Sequence, residues 1–338
     1  MEAPLRVVDL DRPLARPTMD LALGTSPHVA IGLAAFPVAV AVEEYDVLLT
    51  AARDAPRPWV TCADPRATAD LLAQVVADRT EAAVALVQVL RMGPRLRPHE
   101  RLVAESLAYS VLQGGAVFRH WLTMKPPSPA RPSTQPVRVT RDGGRLTVTL
   151  DRPRVRNALD AVTRDALCEA LAVALADPSV TRVDLRGNGP SFCSGGDLAE
   201  FGTSDDPARA HLSRLCRSPA AHLARCAGRV TAHLHGACVG AGIELAAFAA
   251  RIVAAPDTRI RLPEIGMGLI PGAGGTVSIP HRIGRHRTAY LALWGGELTA
   301  SQAVSWGLVD EIRALGAAGP RASDRPSPHG LSTDVQGG

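Results

Sequence analysis

The pattern of apolar and polar residues predicts alternating strands and helices between residues 137 and 312. Two apolar runs flank Asp142-Gly143-Gly144, which is a hairpin signature. An amphipathic helix is predicted from Asp160 to Asp177-Pro178, and its apolar stripe contains Leu159, Val162, Ala166 and Ala170. Repeated strand-loop-helix units of this kind predict an α/β fold, in which the loops at the strand ends carry the chemistry.

The rest of this block continues the alternation. Strands are predicted at 180–185, 229–234 and 252–255. Helices are predicted from about Asp197, through the 210s and 220s, and at 243–250 and 284–293.

The pattern before residue 137 differs. The segments "HVAIGLA", "YDVLLTA" and "WVTC" are candidate strands, but 1–57 as a whole stays poorly assigned. A helical region is predicted over 58–125. A Pro-rich linker, 126–136, follows it, and the tail 313–338 is rich in Gly, Pro and Ser and is predicted to be disordered.

Composition excludes several classes of function. The net charge of +4 arises from 37 basic and 33 acidic residues without a long basic run, and aromatic residues are only 4%, so no nucleic-acid partner is expected. The longest apolar run, Val29–Val42, is short and contains Pro37, so no membrane role is expected. Six scattered cysteines without metal or redox spacing indicate reduced thiols and a cytoplasmic protein.

The loop "GACVGAGIEL", Gly236–Leu245, is the first candidate for chemistry. Its glycine spacing does not fit a nucleotide-binding loop, and Glu244 would face a bound phosphate in the first helical turn. Backbone N–H groups in such a turn can instead stabilise a developing oxyanion. "FCSGGDL", Phe192–Leu198, is a second loop of this type. For either loop alone, an ordinary strand-to-helix turn is the favoured interpretation.

A second glutamate follows in "RLPEIGMGLIPGAGGT", Arg261–Thr276. Glu264 lies 20 residues after Glu244, and paired carboxylates in an apolar pocket suit general acid–base catalysis. His233 and His235 lack a third ligand nearby, so no metal site is predicted.

Five motifs in order make the block resemble the crotonase superfamily, the enoyl-CoA hydratase/isomerase group. They are "LDRPRVRNALD" (150–160), "SFCSGGDLAEF" (191–201), "HGACVGAGIEL" (235–245), "LPEIGMGLIPGAGGT" (262–276) and "SWGLVDEI" (305–312). The resemblance implies a ββα spiral core that binds acyl-CoA. It implies oxyanion-hole N–H groups from Gly196 and Ala241 and catalytic carboxylates from Glu244 and Glu264. It further implies substrate contacts from Asn157, Ala158, Leu159, Asp197, Leu198, Gly240 and Gly272.

The expected reaction is hydration of a 2-enoyl-CoA, or its reverse, through a thioester enolate. No metal or redox cofactor is expected, because coenzyme A enters as part of the substrate. The alternatives are an enoyl-CoA isomerase or another crotonase reaction, and a non-catalytic CoA-binding partner subunit. The resemblance also implies a homo-oligomer, a trimer or hexamer.

The chain departs from the family after Ile312, where only 26 residues remain. Family members continue with helices that close the CoA site. The helical region 58–125 resembles that missing segment in its pattern, so we hypothesise a permuted arrangement in which it supplies those helices from the N-terminal side. An unrelated N-terminal helical domain is the alternative.

Overall fold

The computed structural model describes residues 4–12, 26–129, 131 and 133–314. From residue 315 onward, the tail that the sequence predicts to be disordered lies outside these residues. Within them, no helix is both long and apolar enough to cross a membrane.

The first four strands form a parallel sheet in chain order. They are β1 (Leu5–Asp9), β2 (Val29–Ala34), β3 (Val47–Thr50) and β4 (Val60–Thr61). The two central strands are completely buried, which explains why their apolar runs are uninterrupted. The sequence pattern predicted the last three strands but missed β1, whose residues are mostly half-buried.

Four helices follow this sheet, within the region predicted to be helical. They are α1 (Pro65–Asp78), α2 (Thr80–Met92), α3 (Pro98–Gln113) and α4 (Ala116–Met124). Asp64 begins α1, because its carboxylate accepts the backbone N–H groups of Arg66 and Ala67 and Pro65 occupies the first turn.

The remaining elements build the α/β block. They are β5 (Val137–Asp142), β6 (Arg145–Leu150), α5 (Ala161–Ala176), β7 (Arg182–Gly187), α6 (Pro207–Cys216), α7 (Pro219–Cys226), β8 (Val230–Leu234), β9 (Ala237–Val239), α8 (Ala241–Ala246), β10 (Arg251–Ala254), β11 (Arg259–Arg261), α9 (Gly275–Trp294), β12 (Leu298–Thr299), α10 (Ala300–Trp306) and β13 (Glu311–Ile312).

Two sheets organise this block. One has six strands in the order β13-β10-β8-β7-β6-β5, and the other has three in the order β12-β11-β9. The predicted hairpin joins β5 and β6 antiparallel, whereas β6, β7, β8, β10 and β13 run parallel. The predicted mixed α/β fold is therefore confirmed.

Three local predictions were wrong. No helix begins at Asp197; residues 197–202 form turns, and α6 begins only at Pro207. Helix α5 begins after Asp160 as predicted and buries Ala170, but Val162 is half exposed, and the rest of the buried face contains Thr163, Leu167, Leu171 and Ala174. Helix α9 begins well before Gly284, which interrupts it with a positive φ of 79°.

The N-terminal elements and the α/β block share one hydrophobic core. Leu72 of α1 and Leu86 of α2 are fully buried in the same cluster as Ile279 and Leu291 of α9. Polar contacts reinforce this packing where the guanidinium of Arg287 donates to the carbonyls of Ala55 and Trp59. The helices 65–124 are thus packed directly on the block that carries the predicted site.

Candidate active site

The two glycine-rich loops lie side by side. The amide of Cys193 donates to the carbonyl of Ala237 at 3.2 Å, and the amide of Val239 donates to the carbonyl of Cys193 at 3.0 Å. This parallel bridge holds the loop that contains Gly196 against the loop that opens α8. Motifs that are about 40 residues apart in the sequence therefore meet at one edge of the fold.

Two backbone N–H groups in these loops are unused. Ala241 is the first residue of α8, where helical amides have no partner within the helix. Among the described residues, neither the amide of Ala241 nor that of Gly196 donates a hydrogen bond. Both residues line the same cavity, which has a volume of about 270 Å³.

Glu244 projects into this cavity from α8 and is 2% exposed. Its Oε2 accepts the amides of Ala273 at 2.7 Å and Gly275 at 2.9 Å. Burial raises the pKa of Glu244 well above its ordinary value, and the neighbouring carboxylates of Glu264 and Glu105 raise it further. This carboxyl is thus fixed in place by the loop that precedes α9.

Glu264 enters the same cavity from a 3-10 turn, Glu264–Met267, that follows β11. Its Oε2 is buried and has no hydrogen-bond partner in the described structure. Burial raises the pKa of Glu264 to about 8. A carboxyl in this environment is predominantly protonated near neutral pH and can act as a general acid.

Gly240 allows Glu264 to approach the loop. Its φ is 48°, and a Cβ at this position would lie 2.4 Å from Oε1 of Glu264. Only glycine leaves room for the carboxyl there and adopts this backbone conformation without strain.

The structure brings most of the other predicted binding residues to the same place. Leu159, Asp197 and Gly272 line the cavity of the two glutamates. Ala158, Leu198 and Gly240 line an adjoining cavity, to which Gly196, Asp197 and Glu264 also contribute.

Asn157 lines neither cavity. It is fully buried, and its amide nitrogen donates to the carbonyls of Asn188, Ser191 and Phe192 while its Oδ1 accepts the amide of Arg152. Its side chain fixes the loop that carries Ala158 and Leu159.

The N-terminal helices form one wall of the cavity. Residues of α3 at helical spacing face it: Leu102, Glu105, Ser106, Tyr109 and Gln113. From α4, Phe118 and Trp121 pack against Phe201, and Nζ of Lys125 donates to the carbonyls of Leu198 and Phe201. Helices α3 and α4 and the residue that follows them, Lys125, thus contact the candidate site directly.

Sequence reasoning missed three charged or polar residues that line this cavity, Glu105 and Tyr109 of α3 and Arg214 of α6. Glu105 is 2% exposed, and the guanidinium of Arg214 lies over the Tyr109 ring at 4.8 Å. The signal that could have found Glu105 is its position on the same helical face as Leu102, Ser106 and Tyr109, where a charged residue would otherwise be buried against apolar neighbours.

Comparisons with known proteins agree with this geometry. A family model described as enoyl-CoA hydratase/isomerase matches residues 140–317. The chain is 34% identical over 174 residues to a 2,3-dehydroadipyl-CoA hydratase of Escherichia coli, covering 52% of this chain and 68% of that protein. It is 34% identical over 175 residues to a mevalonyl-coenzyme A hydratase of Beauveria bassiana, covering 49% of this chain and 62% of that protein.

A solved structure of an enoyl-CoA hydratase from Bacillus anthracis is similar, with a TM-score of 0.50 and 28% identity. The match covers 53% of this chain and 70% of that chain. The chain thus spans roughly two thirds of the length of the relatives that it matches. Because the family model matches more than half of the chain and the glutamates lie together in one cavity, the chain belongs to the enoyl-CoA hydratase/isomerase family of the crotonase superfamily.

Proposed function

We propose that the protein adds water to a 2-enoyl-CoA, or catalyses the reverse dehydration. The observation that carries this proposal is the convergence of two buried carboxyls and two unused backbone N–H groups on one cavity. The relatives whose names state hydration of an acyl-CoA support the same reaction.

The amides of Gly196 and Ala241 would bind the thioester oxygen. When water attacks the β-carbon, the electrons of the double bond move toward this oxygen and form an enolate. Two N–H donors stabilise that charge, and removing one such donor from an oxyanion hole costs about 10²–10³ in rate.

The two glutamates would transfer the protons. The two amides bound to Oε2 of Glu244 oppose the rise in its pKa that burial and the neighbouring carboxylates cause, and the ionised form of this carboxyl accepts a proton from the attacking water. Glu264, with a raised pKa and an unpartnered Oε2, donates a proton to the α-carbon. Water is thereby added across the double bond, and exchange with solvent restores both glutamates. One glutamate performing both transfers is the other possible assignment.

No metal or redox cofactor is needed for this chemistry, since hydration is a net addition of water without external oxidant or reductant. We expect turnover to persist after treatment with a chelator, and loss of activity that added metal restores would contradict this part of the proposal.

The test is turnover of a panel of enoyl-CoA esters by the purified full chain, with products resolved by mass. A gain of one water supports hydration, whereas an isomer of unchanged mass supports the isomerase alternative. Glu264→Gln should abolish hydration and retain acyl-CoA binding. Retained turnover would refute the role of Glu264, and binding without turnover of any ester by the unmodified protein would favour a non-catalytic subunit.

We further propose that helices α1–α4 take the place of the C-terminal helices of the family. Their shared core with α9, the wall formed by α3 and the bonds from Lys125 to the 198–201 turn support this arrangement. A protease site introduced in the 126–136 linker tests it. After cleavage the two fragments should remain associated and active, and separation into two independently folded pieces would favour an unrelated N-terminal domain.

The assembly and location are also proposals. A trimer or hexamer is proposed from family membership, and light scattering of the purified chain tests it against a monomer. The described cysteines are all free thiols, which supports a reducing, cytoplasmic location. Fractionation of cells that produce the protein tests this.

A further inference from the structure

The start of α9 and the loop before it are held from two sides by two different carboxylates. The amides of Ala273 and Gly275 donate to Oε2 of Glu244, as described above. The amide of Gly274 donates to Oε1 of Glu105 at 2.7 Å, and the amide of Thr276 donates to its Oε2 at 2.8 Å. Four successive N–H groups therefore alternate between the two glutamates.

Further hydrogen bonds fix the position of the Glu105 carboxylate. The hydroxyl of Thr276 adds a third donor at 2.7 Å, and the carboxyl is almost completely buried. Arg101, one turn earlier on α3, donates to the carbonyl of Thr276 at 2.8 Å. Helix α3 thus forms hydrogen bonds with both the amide and the carbonyl of Thr276.

The arrangement also adds charge to the site. The titratable and charged groups around Glu105 are Arg101 and Tyr109 of α3, Arg214 of α6, Glu244 of α8 and Glu264 of the turn after β11. Burial raises the pKa of Glu105 to about 7. The Glu105 carboxylate in turn raises the pKa of Glu244 and of Glu264.

We propose that Glu105 is a positioning residue for catalysis: it anchors the 273–276 segment whose other amides hold Glu244, and its carboxylate places a further negative charge in the cavity that contains Glu264. The proposal rests on the catalytic role assigned to Glu244 and Glu264 under the proposed function. It places a residue needed for turnover in the N-terminal helices, outside the segment 140–317 that the family model matches.

Two variants separate anchoring from charge. Glu105→Gln removes the charge and places an NH₂ group where a second acceptor is needed, whereas Glu105→Asp keeps the charge but is one methylene too short to reach both amides. Glu100→Gln is the matched control, because Glu100 lies on the same helix but its carboxylate bonds Arg97 and makes no hydrogen bond to residues 273–276.

The first measurement is amide hydrogen exchange of the 272–276 loop in the full chain without substrate. Exchange should accelerate at least tenfold in Glu105→Gln and Glu105→Asp relative to the wild type and to Glu100→Gln. Exchange equal to that of Glu100→Gln would overturn the anchoring role. Because hydrogen exchange is measured without substrate, its result tests the anchoring role of Glu105 independently of the proposed reaction.

The second measurement is kinetics with an enoyl-CoA that the wild type hydrates. A misplacement of about 1 Å costs up to about 10²-fold, so kcat of both variants should fall by up to that factor while KM changes by less than about threefold. The alkaline limb of the pH profile should move to lower pH in Glu105→Gln and stay in place in Glu105→Asp. A profile unmoved in Glu105→Gln, or moved equally in Glu100→Gln, would overturn the electrostatic part. A wild type inactive toward every ester would refute the proposed function instead.

Discussion

Replacing Gly240 with alanine displaces Glu264 without touching its chemistry. A Cβ at position 240 would lie 2.4 Å from Oε1 of Glu264, whereas ordinary contact begins at 3.4 Å, so the carboxyl must retreat by 3.4 − 2.4, or 1.0 Å. The obstructed atom is the end of a flexible side chain, so the carboxyl moves while the backbone stays. Alanine at a φ of 48° adds a strain of about 1–3 kcal/mol.

The expected result is a folded protein with impaired catalysis. A displacement of about 1 Å at a reacting group costs about 10²-fold, so kcat for hydration should fall by that order. Thermal unfolding should shift to a lower temperature in proportion to the strain. Steady-state kinetics and melting curves on the same preparation measure both effects.

Gly266→Ala is the matched control for this experiment. Gly266 lies in the same turn as Glu264, yet a Cβ added there meets no atom within 4 Å. Its activity should stay within about twofold of the wild type. If Gly240→Ala retained the activity of Gly266→Ala, the placement of Glu264 beside Gly240 would not matter for turnover, and the reasoning would be wrong.

Three further predictions concern the pH dependence of activity, the pH dependence of stability, and the contacts of Lys125 with the cavity. Because Glu264 must be protonated to donate and its pKa is raised to about 8, kcat/KM should fall about tenfold per unit above pH 8; a flat profile to pH 10 would contradict this. Folding disfavours the ionised form of the Glu264 carboxyl. Below the ordinary pKa of about 4.5 the group is protonated in both states, so its burial does not change the free energy of unfolding. Between pH 4.5 and about 8, the free energy of unfolding decreases as the pH rises, because only the unfolded state ionises freely. Glu264→Gln should therefore melt at a higher temperature than the wild type at pH 9 and at a similar one at pH 4, and an equal difference at both would refute the burial of the charge. Lys125→Met removes two bonds from Nζ to the carbonyls of Leu198 and Phe201, so KM for acyl-CoA should rise several-fold, whereas Lys125→Arg should largely preserve it; equal KM values for both would show that the bonds do not shape the pocket.

The sequence predicted the α/β block well because its signals are local. Asp142-Gly143-Gly144 forms the predicted hairpin, and Asp160 caps α5 through its carboxylate. The buried stripe of α5 was misjudged because which face is covered depends on the sheet and on α7, and those contacts have no signature in a single helix. The glycines that follow Phe192 were read as leading into a helix at Asp197, yet Asp197 instead pairs with the buried Arg152.

The site was predictable in part for the same reason. Glu244 and Glu264 stand within motifs that resemble those of a known family, and that resemblance implied their convergence on one site. Glu105 carries no motif, because its importance arises from two amides that lie 169 and 171 residues later in the chain. A contact between residues so far apart in the sequence depends on tertiary packing, and the local pattern of apolar and polar residues does not predict it.

That separation in the chain has a consequence for how the protein acquires its activity. During synthesis, Glu105 and the buried faces of α1–α3 emerge long before α9, against which they pack. Contacts between such distant parts of a chain form slowly, since a large loop must close before they give any stabilisation. The parts of α1–α3 that pack against α9 therefore remain uncovered until residues 275–294 have been made. The cavity that contains Glu244 and Glu264 can be completed only after α9 has been made, and a nascent chain that stops short of α9 leaves an apolar surface exposed to aggregation.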